Sequence, residues 1–596
     1  MKDPNRSGRR RATRTNSLVR PINRRAAAFL WVVFGVAILF AWQLFKSKTR
    51  PPARPTFTRD IAPILWANCA GCHRPGQAAP FALLTYRDAK KRARDIADMT
   101  ARRRMPPWLP EAGYGEFSDV RRLTAEQIDC IQRWTAAGAP EGNPRDLPAP
   151  PFWSDGWQLG RPDLVVEMEQ PYTVPAEGKN LYRNFVIPVP LETDRFIRAV
   201  EIDPGNRRVV HHAFLKIDPT PESRRLDRAD AEPGFPFMLT PDSAQIPEGH
   251  FLSWTPGAAS RPNPLGLAWK LTPGSDVVLQ VHMNPSGRPE SLRAKVAFYF
   301  ADRPPQVSPF KLLLTSRSID IPSGEKYFVV EDRMNMPADA DLLAILPHAH
   351  LLAKEMQTFA LLPDGSKRWL LWIKQWDFNW QGDYRYARPV TLPKGSQIVM
   401  RFTYDNSAEN PRNPNHPPKE VTYGPDASDE MAELWLQIVP RATSDLSLFS
   451  RAARDKAALV WENQYSNRLK KNPSDQEAHL GRAKALLAQG RAVDAEAELR
   501  SVLALQPKSE EAHFYLGYVL RQQQRLNEAR AEYESVLALN PKNFEAHGNL
   551  GRIFLEQTNL EAAAAAFSAA LEINPKDKIA LRNIEFIQRI RAGLSE

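Results

Sequence analysis

Two of the chain's three cysteines fall in one short motif, Cys69-Ala-Gly-Cys72-His73. Two thiols at that spacing can each form a thioether with a haem vinyl group, and the imidazole next in sequence can ligate the iron; this is the c-type attachment pattern. A redox CxxC would want a thioredoxin-like βαβ context and a zinc site would want a second ligand pair, and the flanking sequence offers neither. The sixth iron ligand is expected downstream. Met105, in Arg104-Met105-Pro106-Pro107-Trp108, lies in a helix-breaking loop that can hold a thioether at the iron. Met99 lies in an amphipathic run and is expected to pack, and Cys130, between Ile128 and Ile131, reads as a small buried hydrophobe.

Five of the eleven histidines fall in three tight contexts: His211-His212, the single His282 in Leu279-Gln280-Val281-His282, and His348-Ala349-His350. In a strand, residues two apart share a face, so His348 and His350 can close on one metal. Adjacent His211 and His212 would point to opposite faces, so binding through both requires a bulge, a twist or a strand end. Imidazoles combined with a soft thioether would suit copper better than zinc or calcium. Met283 and Met400 are readable as strand packing, and His250 and His416 match no ligand position and read as surface or supporting residues.

The elements that must position these residues are of three kinds. TFTRDIAPILWANCAGCH and LTAEQIDCIQRWTAAGAPEG read as helices on either side of a haem, and the segment resembles a bacterial cytochrome c domain. From residue 150 to 442 the chain turns to short β-branched and aromatic runs separated by Pro, Gly, Asn and Asp, an all-β pattern too long for one sandwich, with a break near Asp302-Arg303-Pro304-Pro305. Pro473, Pro507, Pro541 and Pro575 then recur every 34 residues, the period of tetratricopeptide helix pairs. Ala495, Ala529 and Ala563 take the helix-crossing position and Leu499, Tyr533 and Phe567 the groove, while His479, His513 and His547 recur as repeat positions rather than ligands.

In order and spacing, the motifs HH, LQVH, HxH and Asp429-Glu430-Met431 resemble the copper type II ascorbate-dependent monooxygenases, the family of peptidylglycine and dopamine monooxygenases. The resemblance implies two jelly-roll domains and two copper ions. His211, His212 and His282 would hold an electron-transferring copper, and His348, His350 and Met431 an oxygen-binding one. It further implies hydroxylation of an organic C–H bond with O2, a supporting catalytic role for Gln280, and ascorbate as a reductant alongside the covalent haem c. Peptide-amidating members carry an arginine and a tyrosine where this chain has Leu346 and Trp435. These cannot grip a carboxylate by charge-assisted hydrogen bonds, so a neutral or aromatic small molecule is the expected substrate.

Residues 26–45 are uncharged and long enough to cross a bilayer, and the arginines before them place that end in the cytoplasm. The expectation is a single-pass anchor in a bacterial inner membrane with the bulk periplasmic, a cleaved signal peptide being the competing reading. Of the formal net charge of +12, residues 1–25 hold nine Lys or Arg against one Asp, which leaves little to attract nucleic acid. A composition of 43% hydrophobic and 25% charged residues excludes a mostly disordered or polytopic membrane chain. The expected order is a basic arm (1–25), an anchor (26–45), a cytochrome c domain (50–145), two copper domains (150–302 and 303–442), a linker (443–475) and repeats (476–594) that bind a protein or peptide. Two functions fit: a copper monooxygenase fed by its own haem, or a non-enzymatic haem and copper electron-transfer or assembly scaffold with a protein-binding solenoid.

Overall fold

The computed structural model describes residues 54–592 except 152–155, 179–180, 237–239 and 258–260. The basic arm and the anchor of residues 26–45 lie outside the described residues. Among the described residues no helix is long and apolar enough to cross a membrane.

The haem-motif unit is helical. Phe57–Ile61 runs into Ala62–Asn68, and Tyr86–Lys91, Ala93–Ala101 and Ala125–Ala136 follow. Thr85 with Asp88, and Thr124 with Gln127, form capping boxes that satisfy the first N–H groups of two of these helices. Ile61, Leu65, Ile131 and Trp134 are fully buried at its centre, and Cys130 packs at the margin. Met99, expected to pack, is 38% exposed on Ala93–Ala101. Ile96, Ala97 and Thr100 take that helix's inward face, so the amphipathic stripe is real but Met99 lies off it.

Two β-rich units follow, each built from antiparallel sheets around its own core. In the first, Leu164–Glu167, Lys295–Phe300, Arg195–Asp203 and Trp269–Leu271 form one sheet in that order. Phe235–Pro236, Leu181–Pro188, Asp276–Met283, Val210–Asp218 and Ser253–Trp254 form the other. Along Asp276–Met283, Val277, Leu279, Val281 and Met283 face the sandwich core, so Gln280 and His282 share the opposite face. In the second unit, Phe310–Thr315, Glu433–Pro440, Ala340–His348 and Tyr384–Leu392 oppose Phe328–Asn335, Gln397–Tyr404, Ala353–Leu361 and Lys367–Ile373. Met400 is buried in its core.

The loop after Met105 does not stay with the helical unit. Glu111 N–H donates to the Trp372 carbonyl at 2.7 Å, Ser118 N–H to that of Arg385 at 2.8 Å, and Phe117 belongs to the second β core. Aromatic contacts of Trp108 with Phe117 and Tyr384 complete this graft.

Residues 443–475, read as a linker, are mostly one helix, Leu446–Lys471. Its Phe449 is buried in the second β core, and its Tyr465 ring fills the space left by Gly481 on the next helix, where a Cβ would lie 2.2 Å away. Tyr465 stands 34 residues before Leu499, so this helix occupies the place of the second helix of an incomplete repeat. Three helix pairs from Gln476–Ala488 to Leu560–Ile573 and a last helix, Lys578–Arg591, extend the stack.

Candidate metal and haem sites

His211, His212 and His282 each offer a ring nitrogen within 4.8 Å of the others. The strand geometry explains how. His212 pairs directly with His282, and the register slips between Val210 and His212, so His211 is the extra residue of a bulge and turns to the same side as its neighbour. His211 Nδ1 and His212 Nδ1 lie 3.1 Å apart, and His282 stacks face to face on Tyr182, with ring centroids at 4.2 Å. Both ring nitrogens of His282 and the Nε2 of His211 are buried without a hydrogen-bond partner. A buried unpaired polar atom costs about 1–3 kcal/mol, a cost that a ligand relieves. Burial, then the neighbouring imidazoles, hold His212 well below its ordinary pKa and push His282 down to about 3. The cluster is therefore neutral at physiological pH, the state in which imidazole binds metal.

The second cluster lies in the second β unit. Ala340–His348 ends at His348, so His350 sits in the following turn rather than in the strand, yet the two rings remain 5.2 Å apart. His348 Nδ1 and Gln381 Oε1 are 2.5 Å apart, which leaves His348 Nε2 for a ligand, while His350 Nδ1 lies 3.1 Å from the Asp429 carbonyl and the Asp426 backbone also reaches the His350 ring. Burial pushes His350 down to about 4. Glu430 joins this turn to Met431: its Oε2 accepts the N–H groups of His350 at 2.9 Å and Met431 at 3.2 Å, while Oε1 accepts that of Leu352 at 2.6 Å. Tyr404 Oη donates to the Met431 carbonyl at 2.7 Å. Glu430 is fully buried, and its desolvation raises its pKa to about 8.

Glu430, Gln381 and Phe378 are residues that sequence reasoning left without a role. Only Glu430 carried a signal, an acidic residue beside Met431. Gln280 is buried on the His282 face with its Nε2 donating to Asn184 Oδ1 at 3.0 Å. Leu346 and Trp435 sit opposite one another on adjacent strands, two residues from His348 and on its face, with Lys311 over the indole at 5.8 Å.

Cys69 caps Ala62–Asn68, and Cys69 and Cys72 are free thiols. Burial pushes Cys69 up to about 12 and also raises Cys72. His73 Nδ1 lies 3.2 Å from the Phe81 carbonyl, a contact that orients the ring. Gly257 of the first β unit closes on this motif, since a Cβ there would lie 2.6 Å from Cys72 Sγ. Met105 is half-buried, its N–H donating to the Met99 carbonyl at 3.3 Å.

A cavity of about 230 Å3 lies where the three units meet, lined by Trp108 and Arg121 from the haem-motif unit, Trp254 and Gly257 from the first β unit, and Trp380 and Gln381 from the second. Gln381 thus faces the cavity and orients His348.

His250, read as surface or supporting, is 1% exposed with both ring nitrogens unpartnered, while His416 is exposed. Burial, then Lys311 and Arg385, push His250 to about 3. Below its ordinary 6.5 the unfolded chain takes a proton that the folded chain refuses until about pH 3, so stability falls as pH drops through that window. His250→Leu should remove on the order of 4 kcal/mol of this loss near pH 3, and denaturant melts of both chains at pH 7.5 and 4.5 should show the variant gaining relative stability at acid pH.

The repeat histidines are satisfied in a repeating way. His479 and His513 contact Glu498 and Glu532 through Nδ1, and with His547 they meet the carbonyls of Pro473, Pro507 and Pro541 through Nε2 at 2.9, 3.0 and 3.2 Å.

The model of the family described as tetratricopeptide repeat matches residues 462–510, 480–536 and 514–578. The C-terminal region carries tetratricopeptide repeats. No curated protein matches the chain. Among solved structures, the crystal structure of MamA is 23% identical, with 26% of this chain and 86% of that chain covered and a TM-score of 0.22. The first TPR of Spaghetti (RPAP3), bound to the HSP90 peptide SRMEEVD, is 16% identical, with 20% and 93% covered and a TM-score of 0.19.

Proposed function

We propose that this chain is a membrane-anchored periplasmic copper monooxygenase that hydroxylates a small neutral or aromatic molecule with O2, its electrons coming from a covalent haem c, from ascorbate or from both. The observation that carries the reading is the three-histidine cluster, whose strand bulge turns adjacent imidazoles to one side and leaves buried ring nitrogens without partners. The donor sets suit the groups: three neutral imidazoles for one copper, two imidazoles for the other with Met431 tied to the His350 turn through Glu430, and two free thiols with an oriented imidazole for the haem. When bound, copper supplies one-electron chemistry and activation of dioxygen.

The protein's own part is positioning. Gln381 and the Asp429 carbonyl orient His348 and His350, Glu430 holds the backbone of His350 to that of Met431, and the cavity, where Trp108, Trp254 and Trp380 stand among Arg121, Asp383 and Arg385, offers a mixed aromatic and polar place for the organic substrate beside Gln381. The test is oxygen uptake by the haem-loaded chain with copper, ascorbate and a panel of arylalkyl compounds. Met431→Ala should abolish substrate-dependent uptake and leave the haem spectrum unchanged; uptake at the wild-type rate in the variant would overturn the assignment.

The second reading is a haem and copper scaffold that binds a protein partner through its repeats. The repeats favour it because stacked helix pairs present an extended surface suited to peptides. A chain that binds both coppers yet shows no substrate-dependent uptake across the panel would favour this reading.

A further inference from the structure

The two histidine clusters belong to different β units, and one short turn of the second unit touches both. The ring of Phe378 stacks beside His211 of the three-histidine cluster, with centroids 6.2 Å apart and planes 27° from parallel. The same ring meets His350 of the other cluster edge-on at 5.8 Å. Three residues on, Gln381 Oε1 lies 2.5 Å from His348 Nδ1.

The turn is itself held to the second cluster. Trp376, 1% exposed, donates its Nε1–H to the His350 carbonyl at 3.2 Å, and Asp377 caps the turn by accepting the Asn379 N–H at 3.1 Å. Arg412 closes it from outside, donating to the Trp376 carbonyl and to Asp377 Oδ2. A ring so fixed cannot shift at His211 without also shifting at His350, because close-packed contacts have discrete arrangements rather than a continuous range.

We infer that the turn from Asp377 to Gln381 couples the two clusters, with Phe378 as the positioning residue through which metal at one raises the affinity of the other. This rests on the reading that both clusters bind copper. Fixing His211 on a metal fixes the face on which Phe378 rests, which in turn holds His350 in its ligand orientation; linkage requires the effect to be equal in the other direction. The seam between the β units tightens when either cluster fills.

The test is a cupric-ion titration of the full haem-loaded chain, with the affinity of the Met431 cluster measured in a cycle of Phe378→Ala and His282→Ala. In the Phe378 background, His282→Ala should weaken copper at the Met431 cluster at least about fivefold. In the Phe378→Ala background the same substitution should change it less than about twofold. Phe378→Leu, which fills the space without an aromatic face, serves as the second variant if Phe378→Ala melts early, with the same expected loss of coupling. Equal weakening by Phe378→Ala in both backgrounds would reduce the residue to packing and overturn the inference. So would two bound coppers with no effect of His282→Ala on the Met431 cluster. A wild-type chain that binds no copper would overturn the parent reading as well.

Discussion

Glu430→Ala is expected to empty the methionine-bearing cluster and to destabilise the second β unit by about 3 kcal/mol or more. The Glu430 carboxyl group is fully buried, and its oxygens accept backbone N–H groups from His350, Leu352 and Met431, two chain segments some 80 residues apart. Alanine leaves those donors buried and unpaired, each at about 1–3 kcal/mol, and releases the turn that aims His350. Copper content should fall by one per chain while the three-histidine cluster keeps its own. Glu430→Gln keeps one acceptor oxygen but sets an NH2 against an N–H group, so its loss should be intermediate. A denaturant melt and a metal assay on both variants check this; Glu430→Ala with unchanged midpoint and full copper would show that the carboxylate does not hold the site together.

The second large effect belongs to the solenoid. The Phe567 ring is fully buried and lies so close to Gly551 that a Cβ there would sit 2.8 Å from it. Phe567→Ala should cost about 3–5 kcal/mol, because the helices on either side cannot collapse into the space. In a stack where each repeat contacts only its neighbours, the loss stays local. Hydrogen exchange should show Phe544–Glu556, Leu560–Ile573 and Lys578–Arg591 losing protection, with the β units and the haem spectrum unchanged. Cooperative unfolding of the β units together with the repeats would contradict a quasi-one-dimensional stack.

Local patterns in the sequence made the histidine clusters legible and left their supports hidden. The alternation along Asp276–Met283 places Gln280 and His282 on one face, and the need for a bulge at His211-His212 follows from the two-residue period of a strand. The repeat histidines were readable because a period of 34 marks them as structural. Gln381 reaches His348 across 33 positions and Glu430 reaches His350 across 80, and no local period marks such contacts. Phe378 looks like any loop aromatic until two rings are found against it. The helix Leu446–Lys471 was hidden for a different reason: its Phe449 packs into a β core and its Tyr465 into a repeat, so neither pattern alone extends over its whole length. His250 shows the same limit, since a lone histidine carries no signal of burial and the adjacent Gly249 meets Gln437, 188 residues away, at 2.7 Å.

The most direct test of the central claim is the ratio of tightly bound copper to covalent haem in the full chain, produced with haem maturation and freed of loosely held metal. Two coppers per haem is the expected result, falling to one in His282→Ala and to one in Met431→Ala. No copper, or one copper that survives both substitutions, beside an intact haem and a folded β region, would contradict it.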